Sequence, residues 1–261
     1  MSEPSALCHQ QSLMGAAQRL VQFTDCHLFA DPEQSGYAAI APYHSLARCL
    51  ESAVEYQPDM LLCTGDISGD DSKTSYVWLR ELIKQYAPHI PLYVIAGNHD
   101  NNPYFKETLA AHAIQSGAPA ELGNWCVHGL DTRYQGAQGQ IDERQLQQVA
   151  AAIGARPRQY HALALHHHPI ASNSWMDTHC LVNAGVLLDW LHTQPVRVVL
   201  HGHTHAECEH AHGRQTILGT PSTSWQWAMT PEFGVSAQPP GFRLLELSDE
   251  GHWHSIIRRI S

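Results

Sequence analysis

The sequence predicts an α/β fold. Two observations carry that prediction. Short apolar runs alternate with longer amphipathic segments over the first 200 residues, the pattern of strands joined by helices. Beyond that point only short strands follow, near 215–219, 242–247 and 252–258, which predicts that a second sheet closes the fold. The chain shows no internal repeat and no Ser/Gly linker, so a single domain over 19–261 is expected.

Each element has its own signal. "RLVQFTD" (19–25) is a buried strand ending in polar residues. Residues 42–57 form a helix with Leu46, Leu50 and Val54 on one stripe, and Pro58 stops it. "DMLLCTGD" (59–66) is a second strand, and 73–87 a helix whose Tyr76, Leu79, Leu82 and Ile83 face inward. "PLYVIAGNHD" (91–100) is a third strand with its exit loop, and 103–114 a short helix. "WCVHGLD" (125–131) is a fourth strand. Asp142 opens a helix over 142–153 with Leu146, Val149 and Ile153 on its apolar face. "ALALHHH" (162–168) is a strand, 183–192 a helix and "VRVVLHGH" (196–203) a strand. Residues 220–241, with four prolines and little periodicity, read as a long loop, and loops of that length are often functional.

Composition narrows the function. The chain has 261 residues, 43% of them hydrophobic, enough to bury a core without disulfides. A formal charge of -10 argues against the basic stripe that nucleic acid requires. An anionic substrate would therefore have to be drawn in by local cations. Seven scattered cysteines form no C-x-x-C pair, which fits reduced thiols in a cytoplasmic protein. No segment approaches the ~20 apolar residues of a membrane helix. No basic amphipathic helix suits a lipid surface either. Residues 1–18 read as a mobile tail without a secretion signal.

Histidine is the anomaly. There are twenty, and several cluster, as "HHHP" at 166–169 and "HGHTH" at 201–205. Five predicted strands end in residues that bind metal: "DCH", "GD", "GNHD", "HHHP" and "HGHTH". Sites in open α/β sheets form beyond the carboxyl ends of strands, so ligands remote in sequence can converge. In an extended segment residues two apart face the same way. Asp25 and His27 can then share an ion while Cys26 packs behind, and His203 and His205 can reach one cluster. Gly65 allows a sharp turn beside an ion, and the Asp66 carboxylate can bridge two. Asn98 offers a neutral carbonyl oxygen. "DxH" alone is commonplace, and a lone "GNH" or "GHxH" is more often a turn than a site. The ordered conjunction, each piece at a strand end, is what points to a site. Trp225 and Trp227 read first as packing; a base-stacking platform stays open. Asp70 and Asp71 read as a solvated loop.

"D-x-H", "GD", "GNH", "H-x-P" and "GHxH", in that order, resemble the calcineurin-like metallophosphoesterase superfamily, from about Arg19 to Arg259. "SWMDTHCLVNAG" (174–185) and "GTPSTSWQ" (219–226) make the chain more similar to bacterial class III 3′,5′-cyclic AMP phosphodiesterases. The resemblance implies a four-layer α-β-β-α sandwich of two mixed sheets flanked by helices, with two divalent ions at the strand ends. Asp25, His27, Asp66 and His205 would hold one ion. Asp66, Asn98, a histidine of "HHHP" and His203 would hold the other. The H-x-P spacing selects His167, while counting from the end of the apolar run selects His166; both stay candidates. Cys26 stands where a small or hydroxyl residue is common, and His201 where cysteine is; neither change removes a ligand.

On that resemblance the ions lie ~3.5–4 Å apart, and a hydroxide bridging them attacks phosphorus in line with the departing sugar oxygen. Asn98 and His99 stand beside the substrate. His99, which is not needed as a ligand, hydrogen-bonds the phosphate and protonates the leaving oxygen. Mixed His, Asp and Asn ligation suits Mn, Fe, Co, Ni or Zn better than Ca. The expected function is hydrolysis of cyclic AMP to 5′-AMP. The alternatives are another phosphoester, such as a glycerophosphodiester or phosphoprotein, and a non-catalytic scaffold, which would be expected to have lost ligands.

Overall fold

The computed structural model describes residues 17–260. The expected tail falls outside the described residues except for Ala17 and Gln18, which already belong to the first strand. Along the chain run β1 (Ala17–Phe23), α1 (Pro42–Val54), β2 (Met60–Cys63), α2 (Lys73–Tyr86), β3 (Leu92–Val94) and α3 (Pro103–Leu109). Then come β4 (Ala120–Leu122), β5 (Trp125–Gly129), α4 (Glu143–Gly154), β6 (Tyr160–Ala164), α5 (Ala184–Thr193) and β7 (Val196–His201). The final stretch holds β8 (Cys208–His212), β9 (Gln215–Gly219), β10 (Gln226–Trp227), β11 (Val235–Ser236), β12 (Gly241–Ser248) and β13 (Trp253–Arg259).

All strands but β10 and β11, which form a hairpin, belong to two mixed sheets. One has the order β13-β12-β1-β2-β3 and the other β4-β5-β6-β7-β9-β8. β1, β2 and β3 run parallel, while β12 and β13 return antiparallel. β5, β6, β7 and β9 are parallel, with β4 and β8 as antiparallel edges. The strand-only C-terminal region therefore mostly completes existing sheets: β12 and β13 join the first and β8 and β9 the second, while β10 and β11 pair only with each other.

Side-chain alternation sorts three apolar layers. On β1, Leu20 faces the second sheet, while Val21 and Phe23 face α1 and α2. Leu46, Leu50, Leu79 and Leu82 cover that outer face. Between the sheets lie Leu62, Trp125, Val127, Ala164, Val198, Leu200 and Leu245. On the far side Leu163, Val199 and Ile217 pack against Leu146, Val149, Leu187 and Leu191 of α4 and α5. The result is the four-layer α-β-β-α sandwich.

The layers place the site. All five polar strand ends leave the carboxyl ends of parallel strands β1, β2, β3, β6 and β7. The inter-sheet layer holds fifteen buried side chains, and a buried Leu or Val contributes about 1.5–3 kcal/mol. That is enough to fix the two sets of strand ends against each other.

Candidate dinuclear metal centre

Three groups of side chains converge where the two sheets meet: Asp25, His27 and His205; Asp66, His166 and His203; and His27, Asp66 and His99. Within each group the candidate ligand atoms all lie within 4.8 Å of one another. His205 Nε2 is 3.3 Å from Asp25 Oδ1, and His166 Nε2 is 3.3 Å from Asp66 Oδ2. His27 Nε2 and His205 Nε2 stand 3.1 Å apart. Asp25, Asp66, His166, His203 and His205 are all buried, whereas His99 is exposed. Asp66 and His27 each belong to two of the three groups.

Backbone carbonyls orient the imidazoles. His166 Nδ1–H donates to the Thr64 carbonyl (2.7 Å), and His205 Nδ1–H to the Trp225 carbonyl (2.7 Å). His203 Nε2–H donates to the His179 carbonyl (2.9 Å). A carbonyl can only accept, so each bond keeps a proton on that nitrogen and leaves the other ring nitrogen facing the centre, able to bind a cation when the ring is neutral. Asp25 accepts from the His203 amide (2.9 Å) and Asp66 from the His99 amide (2.8 Å). Each carboxylate thus ties the loop of one strand to that of another.

The backbone does not reach this arrangement as extended strand. Asp25, His27, Asp66, His203 and His205 have φ of 53°, 46°, 51°, 68° and 47°. Residues two apart do face one site, but through left-handed turns rather than through the strand pleat. Such positions cost about 1–3 kcal/mol each and persist where the surroundings over-determine them. Here they do: the Asp25 amide donates to the Gly65 carbonyl, and the His27 amide to the Asp66 carbonyl. Cys26 packs at 0% exposure among the residues between the first sheet and its helices.

Two glycines are required for space. Gly65 has φ 101°, and a Cβ there would approach Gly97 N to 2.6 Å. A Cβ on Gly97 would overlap both the amide and Oδ1 of Asp66. Because the backbone must give way, we expect Gly97→Ala to cost about 1–3 kcal/mol and to weaken cation binding. Denaturant unfolding and a metal titration check this; unchanged values in both would contradict the contact.

Charge follows the same design. Burial pushes the Asp25 and Asp66 carboxyls up, but the imidazoles of His205 and His166 outweigh it and hold both below the ordinary range. Burial, then neighbouring imidazoles, pushes His27 down to about 3 and His203 well below its usual value. Ionised carboxylates facing neutral imidazoles are the forms a divalent ion requires of its ligands. His166 goes the other way: burial opposes its charge, but Asp66 and Asp25 push it up to about 9, so a bound cation must displace its proton. Asn98 Oδ1 and His166 Nε2 are buried without hydrogen-bond partners. Orphaned oxygen and nitrogen atoms of this type fit a metal centre.

His167 is set apart from the groups. Its Nδ1 lies 2.7 Å from the Thr132 hydroxyl, and none of the three groups includes it. Along β6, Ala162 and Ala164 face the inter-sheet layer, Leu163 and Leu165 the helices. His166 continues the first set, while the His167 ring still lies 4.7 Å from that of His203 and its Nε2 is buried without a partner.

Asp100, a residue that the motif spacing does not single out, braces the centre. Its carboxylate accepts from Gly97 N (2.9 Å), Ile67 N (3.1 Å) and the Tyr76 hydroxyl (2.9 Å). Those bonds lock the "GD" loop to the "GNHD" loop. Burial, then Asp66, pushes its carboxyl up to about 6. The final D of "GNHD", directly after two candidate site residues, was the available signal.

The fold and this cluster define a class: a metal-dependent hydrolase of phosphoric esters. The chain belongs to the calcineurin-like phosphoesterase family, whose model matches residues 18–207. It is 34% identical over 252 residues to the 3′,5′-cyclic adenosine monophosphate phosphodiesterase CpdA of Pseudomonas aeruginosa, covering 94% of this chain and 91% of the relative. It is 32% identical to the protein of that name from Escherichia coli K12, covering 95% and 92%. Among solved structures, a dimetal phosphatase from Danio rerio superposes with a TM-score of 0.59 at 14% identity, over 94% of this chain and 99% of that one. The purple acid phosphatase PPD1 of yellow lupin does so at 0.64 and 14%, over 94% and 52%.

Proposed function

We propose that this chain hydrolyses 3′,5′-cyclic AMP to 5′-AMP, using two divalent ions. Asp25, His27, Asp66 and His205 would hold one ion; Asp66, Asn98, His166 and His203 would hold the other. One observation carries the reading: buried carboxylates and backbone-oriented imidazoles meet at five strand ends, in a chain similar along more than nine-tenths of its length to cyclic AMP phosphodiesterases.

Bound ions would supply Lewis acidity, lowering the pKa of water and offsetting phosphate charge. The protein does the rest. Asp66 is shared between the two sets, and its Oδ1 also fixes the loop that carries His99. His99 is exposed at the rim and packs edge-on against His27, with ring centroids 4.9 Å apart. From there it hydrogen-bonds the phosphate and gives a proton to the departing 3′-oxygen. The nitrogen-rich donor set favours Mn, Fe, Co, Ni or Zn over Ca. Reduced cysteines, six of them unpaired among the described residues, support a cytoplasmic setting. Among the described residues no helix is long and apolar enough to cross a membrane.

The test is to quantify metals in the purified protein and follow 5′-AMP release with chelator and with added Mn. Release should stop on chelation and return with Mn. A fully loaded protein that leaves cyclic AMP intact while cleaving a linear phosphodiester would refute the substrate.

A further inference from the structure

Beside the centre opens a cavity of about 580 Å³ that shares His27 and His99 with it. Its other walls are mostly aromatic rings: Tyr37, Trp175, Trp225, Trp227 and Phe233. They come from three distant segments. Tyr37 starts a 3₁₀ turn (Tyr37–Ala39), Trp175 starts another (Trp175–His179), and the rest ride on the β10–β11 hairpin. The 220–241 segment is therefore not a structureless loop but the support of this wall.

The rings are held rather than collapsed. Trp175 N and Nε1 donate to the carbonyls of Thr230 (3.0 Å) and Ala228 (3.1 Å), docking the hairpin onto the 3₁₀ turn. Trp175 and Phe233 meet edge-to-face at 4.9 Å, and Tyr37 and Trp227 at 5.1 Å. Yet Phe233 stays 57% exposed and Tyr37 48%, which a purely structural cluster would not require. Trp225, 5% exposed, links pocket to centre. Its ring stacks on His27 at 5.0 Å and 17°, and its carbonyl accepts from His205. Gly36 keeps that seat open, since a Cβ there would overlap the Trp225 ring.

We propose that this pocket seats the purine base of the nucleotide by stacking, while the phosphate lies at the metal centre. The phosphate end rests on the phosphodiesterase reading; the base end does not. Ring faces dominate the walls, and aromatic faces bind bases without needing their hydrogen-bonding edges. The cavity also falls within the usual size of small-molecule sites. Tyr37, Trp227 and Phe233 are then the residues that distinguish a nucleotide from a phosphodiester lacking a base.

Adenosine, which has no phosphate, separates the two readings. Titrated into the metal-loaded protein, it should quench tryptophan fluorescence saturably and inhibit cyclic AMP turnover. Phe233→Ala, at an exposed site that spares the fold, and Trp227→Ala, with folding checked by circular dichroism, should weaken adenosine binding. The loss should be about five- to a hundredfold, with a parallel rise in KM for cyclic AMP and a smaller change in kcat. Phe233→Trp should restore both. If the wild type releases 5′-AMP but adenosine does not bind, or if neither alanine variant changes adenosine affinity, the pocket assignment is wrong and the phosphodiesterase reading survives. If adenosine binds and both variants weaken it while no cyclic nucleotide is cleaved, the pocket stands and the substrate fails.

Discussion

Asp66→Ala is expected to empty both cation positions at once and to lower turnover at least about a thousandfold. No other carboxylate takes part in two of the converging groups. Asp66 Oδ2 lies 3.3 Å from His166 Nε2 and 4.0 Å from His27 Nε2, while its Oδ1 holds the His99 amide. Removing it takes away a shared ligand and releases the loop that carries Asn98 and His99. Asp25 cannot replace it, because the second sheet fixes Asp25 through the His203 amide. Metal analysis after dialysis, set beside the rate on cyclic AMP, checks this. A variant that keeps two ions, or that loses them while retaining turnover, would refute the bridging role. His205→Ala should by contrast affect chiefly the side of the centre nearest Asp25.

His99→Ala should keep its metals and lose about 10²–10⁴ in kcat. The structure sharpens this prediction, because His99 lies close enough to His27 and Asp66 to compete for a ligand role. Exposure argues for the proton-transfer role: the other imidazoles of the three groups are buried, and those of His166, His203 and His205 are held by backbone carbonyls. Metal content decides between the two. A general acid also has a signature that a ligand lacks. The defect should shrink on an ester whose leaving group departs without a proton, such as a nitrophenolate. A loss of metal together with an equal defect on both leaving groups would assign His99 to the ions instead.

Much of the fold was legible because its signals are local. Amphipathic spacing located the helices at Leu46 and Leu50 and at Tyr76, Leu79, Leu82 and Ile83, and all of these are buried. Asp142 caps α4 through its side chain, which accepts from the Arg144 amide. Val54, placed on the same stripe, is only partly buried, since the helix ends there. Weak or short strands escaped: β4 spans three residues, and β8, with its histidines and Glu209, has no apolar run to reveal it.

The site was legible as a set of strand ends, but not as a geometry. Nothing in "DCH" or "GHTH" signals a left-handed backbone at Asp25, His27, His203 and His205, and the bonds that hold the Asp25, His27 and His203 amides come from other loops. His166 and His167 could not be told apart because the sequence does not show where β6 leaves its pleat, which is at Ala164. Trp225 and Trp227 could be read either as packing or as a platform for a base. Their partners Tyr37, Trp175 and Phe233 lie in other segments or farther along the hairpin, and no periodicity joins them. Asp100 escaped for the related reason that a bracing carboxylate has no spacing rule of its own.

The most direct measurement is anomalous X-ray diffraction from crystals of the metal-loaded protein. Two peaks are predicted where the carboxyl ends of β1, β2, β3, β6 and β7 meet, with Asp66 touching both and His167 touching neither. A single peak, or ions bound away from Asp66, would contradict the dinuclear centre on which the proposed chemistry depends.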